Sequence, residues 1–219
     1  MAPRQPTTTP ERLIAATRES LKTSGVSGLT SREIAGTAGV NLQAITYHFG
    51  SKDSLVAAAL TEVVQQHLDP IRSALDADGD PAERLFDALD AIRTAFDVGR
   101  DDLAMYAEAM AASATNPELA TSLGELHDDL RHYLAGLIAE MQGDRYIQSW
   151  VQPDAMAALL LSIGDGLATQ ARLSDPDVDG VLEQVALLLL AARDTSARVW
   201  PAAARLLLRR MARKPTRAT

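Results

Sequence analysis

From Pro10 onward, nearly every segment of this 219-residue chain repeats its apolar residues at helical spacing. No stretch alternates apolar and polar residues as a half-buried strand does, so the chain is confined to an all-α fold. Breaks fall at DADGDP, NP, QGD and DPDVDG, clusters of Gly, Pro, Asp and Asn that stop helices. Between them the spacing predicts helices over 10–25, from a cap at Thr30 to a stop at Gly39, over 41–49, and onward from Ser51. Further helices are expected over 81–97, 101–114, 117–142, 153–173, 178–196 and 201–213. With 47% apolar but only 4% aromatic residues, the composition suits helices better than a sandwich or barrel.

Several function classes drop out early. There is no cysteine, hence no disulfide, thiolate nucleophile or thiolate ligand, which suits a reducing cytoplasm. No G-x-S-x-G, phosphate loop or convincing carboxylate–histidine set is present, so an enzyme is not expected. Gly164–Asp165–Gly166 lacks the third glycine and the preceding strand of a dinucleotide fingerprint. In HDDLRH, Asp128 and His132 share a helical face, but without further ligands the stretch reads as a charged solvent face; neither metal nor cofactor is expected. The apolar runs AMAALLLSI and VALLLLAA are far short of the ~18 residues a membrane span needs. The opening MAPRQPTTTP has no apolar core of signal-peptide length, so residues 1–9 read as a disordered arm.

Charge is unevenly spread. The formal net charge is -8, yet residues 1–58 carry +2 and residues 191–219 carry +7, against -17 over residues 59–190. The acidity is confined to the middle, and salt screens exposed charges beyond ~8 Å, so both ends remain able to approach a polyanion. The tail PAAARLLLRRMARK places Arg205, Arg209 and Arg213 on one face of a possible helix. That face suits docking on the acidic body better than contact with a polyanion such as DNA or with anionic lipid.

A compact corner lies in the N-terminal part. TSRE at 30–33 reads as a capping box, with Thr30 as the cap and Glu33 reaching back. Ile34, Ala35 and Ala38 face inward, Gly39 permits the turn, and Ile45 anchors a second short helix capped by Asn41. Ahead of it Leu13, Ile14 and Leu21, with Thr17 between, form an inward stripe. Such a corner can set its second helix in the DNA major groove, whose ~12 Å width admits one.

The stretch LTSREIAGTAGVNLQAITYHFGSKDSLVAAAL resembles the DNA-binding domain of TetR-family transcriptional regulators. Thr30, Ile34, Ala35, Ala38, Gly39, Val40, Tyr47, His48, Phe49, Lys52 and Leu55 meet the family pattern, and the resemblance covers about residues 10–60. Thr46 stands where the family commonly has Tyr. Gln43 is the best candidate for a base edge, since an amide can pair both N6 and N7 of adenine. Ala44 is placed to touch a thymine methyl, with Asn41, Leu42 and Thr46 nearby. Thr30, Ser31, Arg32, Tyr47, His48 and Lys52 are candidates for phosphate. The resemblance puts Lys52 at the start of the following helix, where free amides add attraction for phosphate. Phe49 is expected to pack the three-helix unit.

The resemblance implies a reading domain over 10–55 and a larger helical domain over 56–200 that binds an effector and dimerises, followed by the basic tail over 201–219. AMAALLLSIGDGLATQARL and VLEQVALLLLAA are apolar nearly all round, so each must bury two faces. One face would meet a twin chain in a four-helix bundle, with Leu160, Gly164, Leu167, Val185 and Leu189 at the interface. A homodimer of this kind expects a palindromic double-stranded operator. Phe86, Phe96, Met105, Tyr106, Met110, Tyr133, Met141 and Trp150 are candidates to line an adaptable effector pocket. The acidic middle disfavours strongly anionic effectors, leaving apolar or amphipathic ones. The expected function is a ligand-released repressor; the alternative is a dimeric interaction protein with a degenerate reading head, controlled by a protein partner.

Overall fold

The computed structural model describes residues 8–98, 100–171, 173–174 and 176–192, and among these every regular element is an α-helix. They are α1 (Thr9–Gly28), α2 (Ser31–Ala38), α3 (Gln43–Phe49), α4 (Lys52–Leu75), α5 (Pro81–Val98), α6 (Arg100–Ser113), α7 (Pro117–Gly143), α8 (Pro153–Gln170) and α9 (Val178–Ala191). The expected basic helix over 201–213 lies outside the described residues, as do residues 1–7 of the arm. No described helix is long and apolar enough to cross a membrane. The described residues fall into two compact units, one within 8–67 and 100–127, the other within 68–98 and 128–192.

The first unit starts with a capping box that the sequence reading passed over. The Thr8 hydroxyl accepts the Glu11 amide, and the Thr8 amide donates to the Glu11 carboxylate at 3.0 Å. Helix α1 therefore begins at Thr9, inside the stretch assigned to the arm. Gly25, at φ 61° and ψ 175°, breaks the regular helix where the sequence places its stop, and a short further helical segment carries α1 on to Gly28. Leu13, Ala16, Thr17 and Leu21 are buried and Ile14 is half-buried, the helical stripe foreseen. Helices α2 and α3 pack on α1, burying Ile34, Ala35 and Ala38 of α2 and Ile45 of α3, and Leu55 of α4 is buried as well. Arg18 meets Glu62 of α4 at 3.2 Å, a half-exposed pair of little energetic weight.

Helix α6 packs on α1 within this unit. The Glu108 carboxylate accepts the Val26 amide at 2.8 Å, just beyond the Gly25 kink. Two positions earlier, the buried Tyr106 has its hydroxyl 3.1 Å from His127 Nε2 and its ring 5.1 Å from that of His67.

The second unit is pinned at its loops. Asp80 caps α5 by accepting the Ala82 and Glu83 amides at 2.9 and 3.2 Å. Its other carboxylate oxygen accepts the Tyr146 hydroxyl. Arg84 donates to the Leu75 carbonyl and pairs with Glu140 at 2.8 Å. The Gln142 amide donates to the Gln148 and Val151 carbonyls, holding the α7–α8 connection. Helix α5 packs on α9, and α8 stops at Gln170, three residues before the expected end.

Tyr146 keeps only 7% of its surface exposed. Its hydrogen bond to Asp80 comes first among the causes, then burial and the negative charge of Asp80, that push its pKa up from 10.0 to about 12. The folded state thus holds the proton more tightly than the unfolded chain. The stabilisation is fully present below pH 10 and is lost as pH rises from there through about 12. Denaturant unfolding across that window should show wild-type stability falling more than that of Tyr146→Phe. Parallel losses in the two proteins would remove Tyr146 from the alkaline transition.

Candidate nucleic-acid interface

The reading corner is built by local chemistry. Thr30 takes an extended backbone, φ -117° and ψ 146°, and its hydroxyl accepts the Glu33 amide at 3.2 Å. The Glu33 carboxylate accepts the Ser24 hydroxyl at 3.0 Å, so the expected reciprocal bond to Thr30 gives way to a tie with α1. Gly39 ends α2 in the left-handed region at φ 62°, ψ 39°. Its amide reaches the Gly36 carbonyl at 3.1 Å, and that of Val40 reaches the Ala35 carbonyl at 3.0 Å, satisfying carbonyls the helix end leaves open.

Helix α3 starts two residues later than expected. Leu42 holds the cap position and makes no side-chain cap bond. Asn41 sits one place ahead, its Oδ1 accepting the Gln43 amide at 2.9 Å in an Asx turn. The side chain therefore still closes an early amide, but from outside the helix.

Only Ile45 of α3 is buried. Gln43, Thr46, Tyr47 and His48 are exposed, Leu42 is exposed just before them, and Ala44 and Phe49 are half-buried. Tyr47 reaches 84% exposure and meets His48 edge-on, with ring centroids 4.8 Å apart. A helix this short cannot hold itself together in water, so its one buried side chain and its two turns position it. Thr9, Val40, Asn41, Gln43, Ala44, Tyr47 and His48 line one open groove. That groove brings together five of the expected DNA-contact residues and adds Thr9, which nothing in the linear sequence flags.

The remaining phosphate candidates are spread around the corner. Thr30 and Arg32 are exposed and Ser31 is half-buried. Ser51 caps α4 by accepting the Ser54 amide at 2.9 Å, as its type and place suggest. Lys52 is already engaged: its Nζ donates to the Leu29 carbonyl at 3.1 Å and lies 4.0 Å from Asp53. An ammonium has three donors, so this tie holds the side chain without using it up. Sequence reasoning missed Arg12, whose guanidinium donates to the Ala38 and Gly39 carbonyls at the turn.

The other expected sites are placed within one unit or the other. Of the effector candidates, Met105, Tyr106 and Met110 stand on α6 in the first unit, the first two buried. Phe86 and Met141 are buried in the second, where Phe96 and Tyr133 are half-buried and Trp150 is exposed. Of the interface candidates, Leu167, Val185 and Leu189 are buried within the single chain, while Leu160 and Gly164 are half-buried. Among the described side chains of these two helices, the exposed large apolar ones are Leu159 on α8 and Leu187 and Leu188 on α9.

Comparison with known proteins gives a consistent picture. The family profile described as bacterial regulatory proteins, tetR family, matches residues 13–59. The profile of the BetI-type transcriptional repressor C-terminal domain matches residues 81–195. The HTH-type transcriptional regulator BetI of Stenotrophomonas maltophilia is 29% identical over 111 residues, 50% of this chain and 57% of that protein. The match thus spans just over half the length of that relative. PksA of Bacillus subtilis, also an HTH-type transcriptional regulator, is 26% identical over 167 residues, covering 76% of this chain and 79% of its own. Among solved structures, a transcriptional regulator from Rhodococcus sp. Rha1 aligns with a TM-score of 0.68 at 29% identity, over 86% of this chain and 99% of that one.

Proposed function

The chain belongs to the TetR family of bacterial regulatory proteins, which are DNA-binding regulators and not enzymes, and on that premise we propose that it is a homodimeric repressor released from a palindromic operator by a small molecule. The observation that carries the reading role is the outer surface of α3. Four of its seven residues are exposed side chains able to donate or accept hydrogen bonds, while the one buried residue, Ile45, fixes the helix from behind. Gln43 reads a base edge, Ala44 meets a thymine methyl, and Asn41, Leu42 and Thr46 flank them. Thr30, Ser31, Arg32, Tyr47, His48 and Lys52 hold the backbone. The place of action is the cytoplasm, on DNA.

Two subunits present two such helices about one DNA turn, or ~34–36 Å, apart. The effector is apolar or amphipathic. In the first unit Met105 and Tyr106 offer apolar surface, with His127 and His67 supplying polar groups around the Tyr106 ring. The same helix carries Glu108, whose bond to Val26 reaches α1 of the reading head. A ligand that prefers one placement of α6 thereby biases the head, and each tenfold preference supplies ~1.4 kcal/mol of coupling. Phe86, Phe96, Tyr133, Met141 and Trp150, all in the second unit, are separate candidates for effector contact in their own right. Repression agrees with the BetI-type repressor profile over the C-terminal part.

Selection of bound duplexes from a random pool tests the reading. A recovered palindrome is expected, and Gln43→Ala should then relax discrimination at one base pair per half-site by ~1–3 kcal/mol while leaving the others intact. Unchanged preference at every position takes Gln43 out of base reading. Recovery of only salt-sensitive, sequence-indifferent complexes would sink the palindromic operator.

A further inference from the structure

The guanidinium of Arg12, on α1, sits at the junction of α2 and α3. Its Nη2 donates to the Ala38 carbonyl at 2.6 Å and to the Gly39 carbonyl at 3.1 Å. Ala38 is the last residue of α2, so its carbonyl lacks a donor within the helix and lies at the negative end of the helix dipole. A cation fits there on charge as well as on hydrogen bonding.

The geometry of Gly39 fits the same contact. A Cβ built on Gly39 would meet Arg12 Nη2 at 3.0 Å, and Gly39 also holds a positive φ of 62°. The left-handed backbone conformation calls for glycine at this position, and the guanidinium lies close over it. The turn's amides are bonded back to α2 and its carbonyls are bonded to Arg12, so the turn is held from both sides.

That turn decides where α3 begins. Gln43 follows Gly39 by four residues, through a connection tied forward to α3 by the Asx bond and by the Asn41 and Leu42 carbonyls, which accept the Ala44 and Ile45 amides. A small rotation at Gly39 would swing the exposed face of α3 as a body. Base-edge hydrogen bonds weaken steeply with angle, so such a swing harms specific reading first and phosphate attraction least.

We propose that Arg12 is a positioning residue for DNA reading, acting on the operator through the α2–α3 turn and not by touching phosphate. The inference rests on the DNA-reading role proposed above, and the test separates the two. Full-length wild type, R12Q and R12K are titrated against the selected palindrome and a scrambled duplex over a salt series. Amide hydrogen exchange is followed on the same proteins without DNA.

R12Q should bind the palindrome about tenfold more weakly, the scale of one lost charge-assisted contact. Its affinity for the scrambled duplex and its salt slope should match wild type, and R12K should recover part of the loss. The Gly39 and Val40 amides should exchange faster in R12Q, while those around Leu13 do not. A salt slope flatter by about 0.9 per subunit would mean that Arg12 neutralises a phosphate, and the proposal falls. Unchanged operator affinity with unchanged exchange overturns it, and so does faster exchange throughout α1 and α2. If wild type prefers no sequence, the reading role fails, and the exchange comparison still judges the hold of Arg12 on the turn.

Discussion

Truncating Ile34 to alanine should destabilise the reading unit by about 2–5 kcal/mol, as removal of a large core side chain leaves a cavity that its neighbours fill only in part. Ile34 has 0% of its surface exposed, and so does Leu13. With Leu21, Ile45 and Leu55 they make up the apolar centre of the three-helix head. The site has little room to collapse, because α2 is short and fixed at both ends by Thr30 and Gly39. Chemical denaturation checks the stability, and operator titration checks the consequence: the affinity of the variant should fall as the folded fraction falls, and recover on cooling toward maximum stability. Tyr47→Ala is the contrast. With 84% of Tyr47 exposed, its loss should leave stability within ~0.5 kcal/mol of wild type. An Ile34→Ala protein destabilised by under 1 kcal/mol would mean that α2 is not anchored where the packing places it.

What could be read from the linear chain was what neighbours in sequence decide. Thr30 as a cap, Gly39 as a left-handed stop, Ser51 as a second cap and Ile45 as the inward residue of α3 all depend on side chains within about four positions. The helix breaks followed from Gly, Pro and Asx chemistry for the same reason. The contacts that fix the head and loops are of another kind. Arg12 reaches Ala38 over 26 residues, Lys52 reaches Leu29 over 23, Tyr146 reaches Asp80 over 66 and Glu108 reaches Val26 over 82. No local pattern encodes such a pairing, since many Arg, Glu and Tyr residues are chemically able to make it. Lys52 shows the limit well: family pattern and charge mark it for phosphate, while its bond to the Leu29 carbonyl appears only in three dimensions. The phase of α8 and α9 was hidden for a further reason. A helix apolar all round has a weak directional signal, so periodicity shows that two faces are buried without telling which residue lies on which.

That phase leads to the second large effect. Leu188→Glu should leave the chain folded but monomeric, and should weaken binding to a palindromic operator by roughly a hundredfold or more, since two linked half-site contacts exceed one by factors of ~10²–10⁴. Leu188 is 68% exposed in the single chain, and Leu187 beside it and Leu159 on α8 are exposed too, an unusual price in apolar surface unless a partner covers them. Leu189 is the internal control. It is buried within its own chain, so Leu189→Ala should lower the unfolding free energy by about 2–5 kcal/mol yet keep the dimer at concentrations where the protein is folded. Sedimentation velocity separates the two variants. A dimeric Leu188→Glu protein would move the interface off this face of α9. A monomeric Leu189→Ala protein of normal stability would return the interface to the buried set of Leu167, Val185 and Leu189. In the proposed dimer the pairing of subunits would set the spacing of the two reading helices, so the same pair of variants also tells whether lost operator binding comes from a separated dimer or from a loosened core.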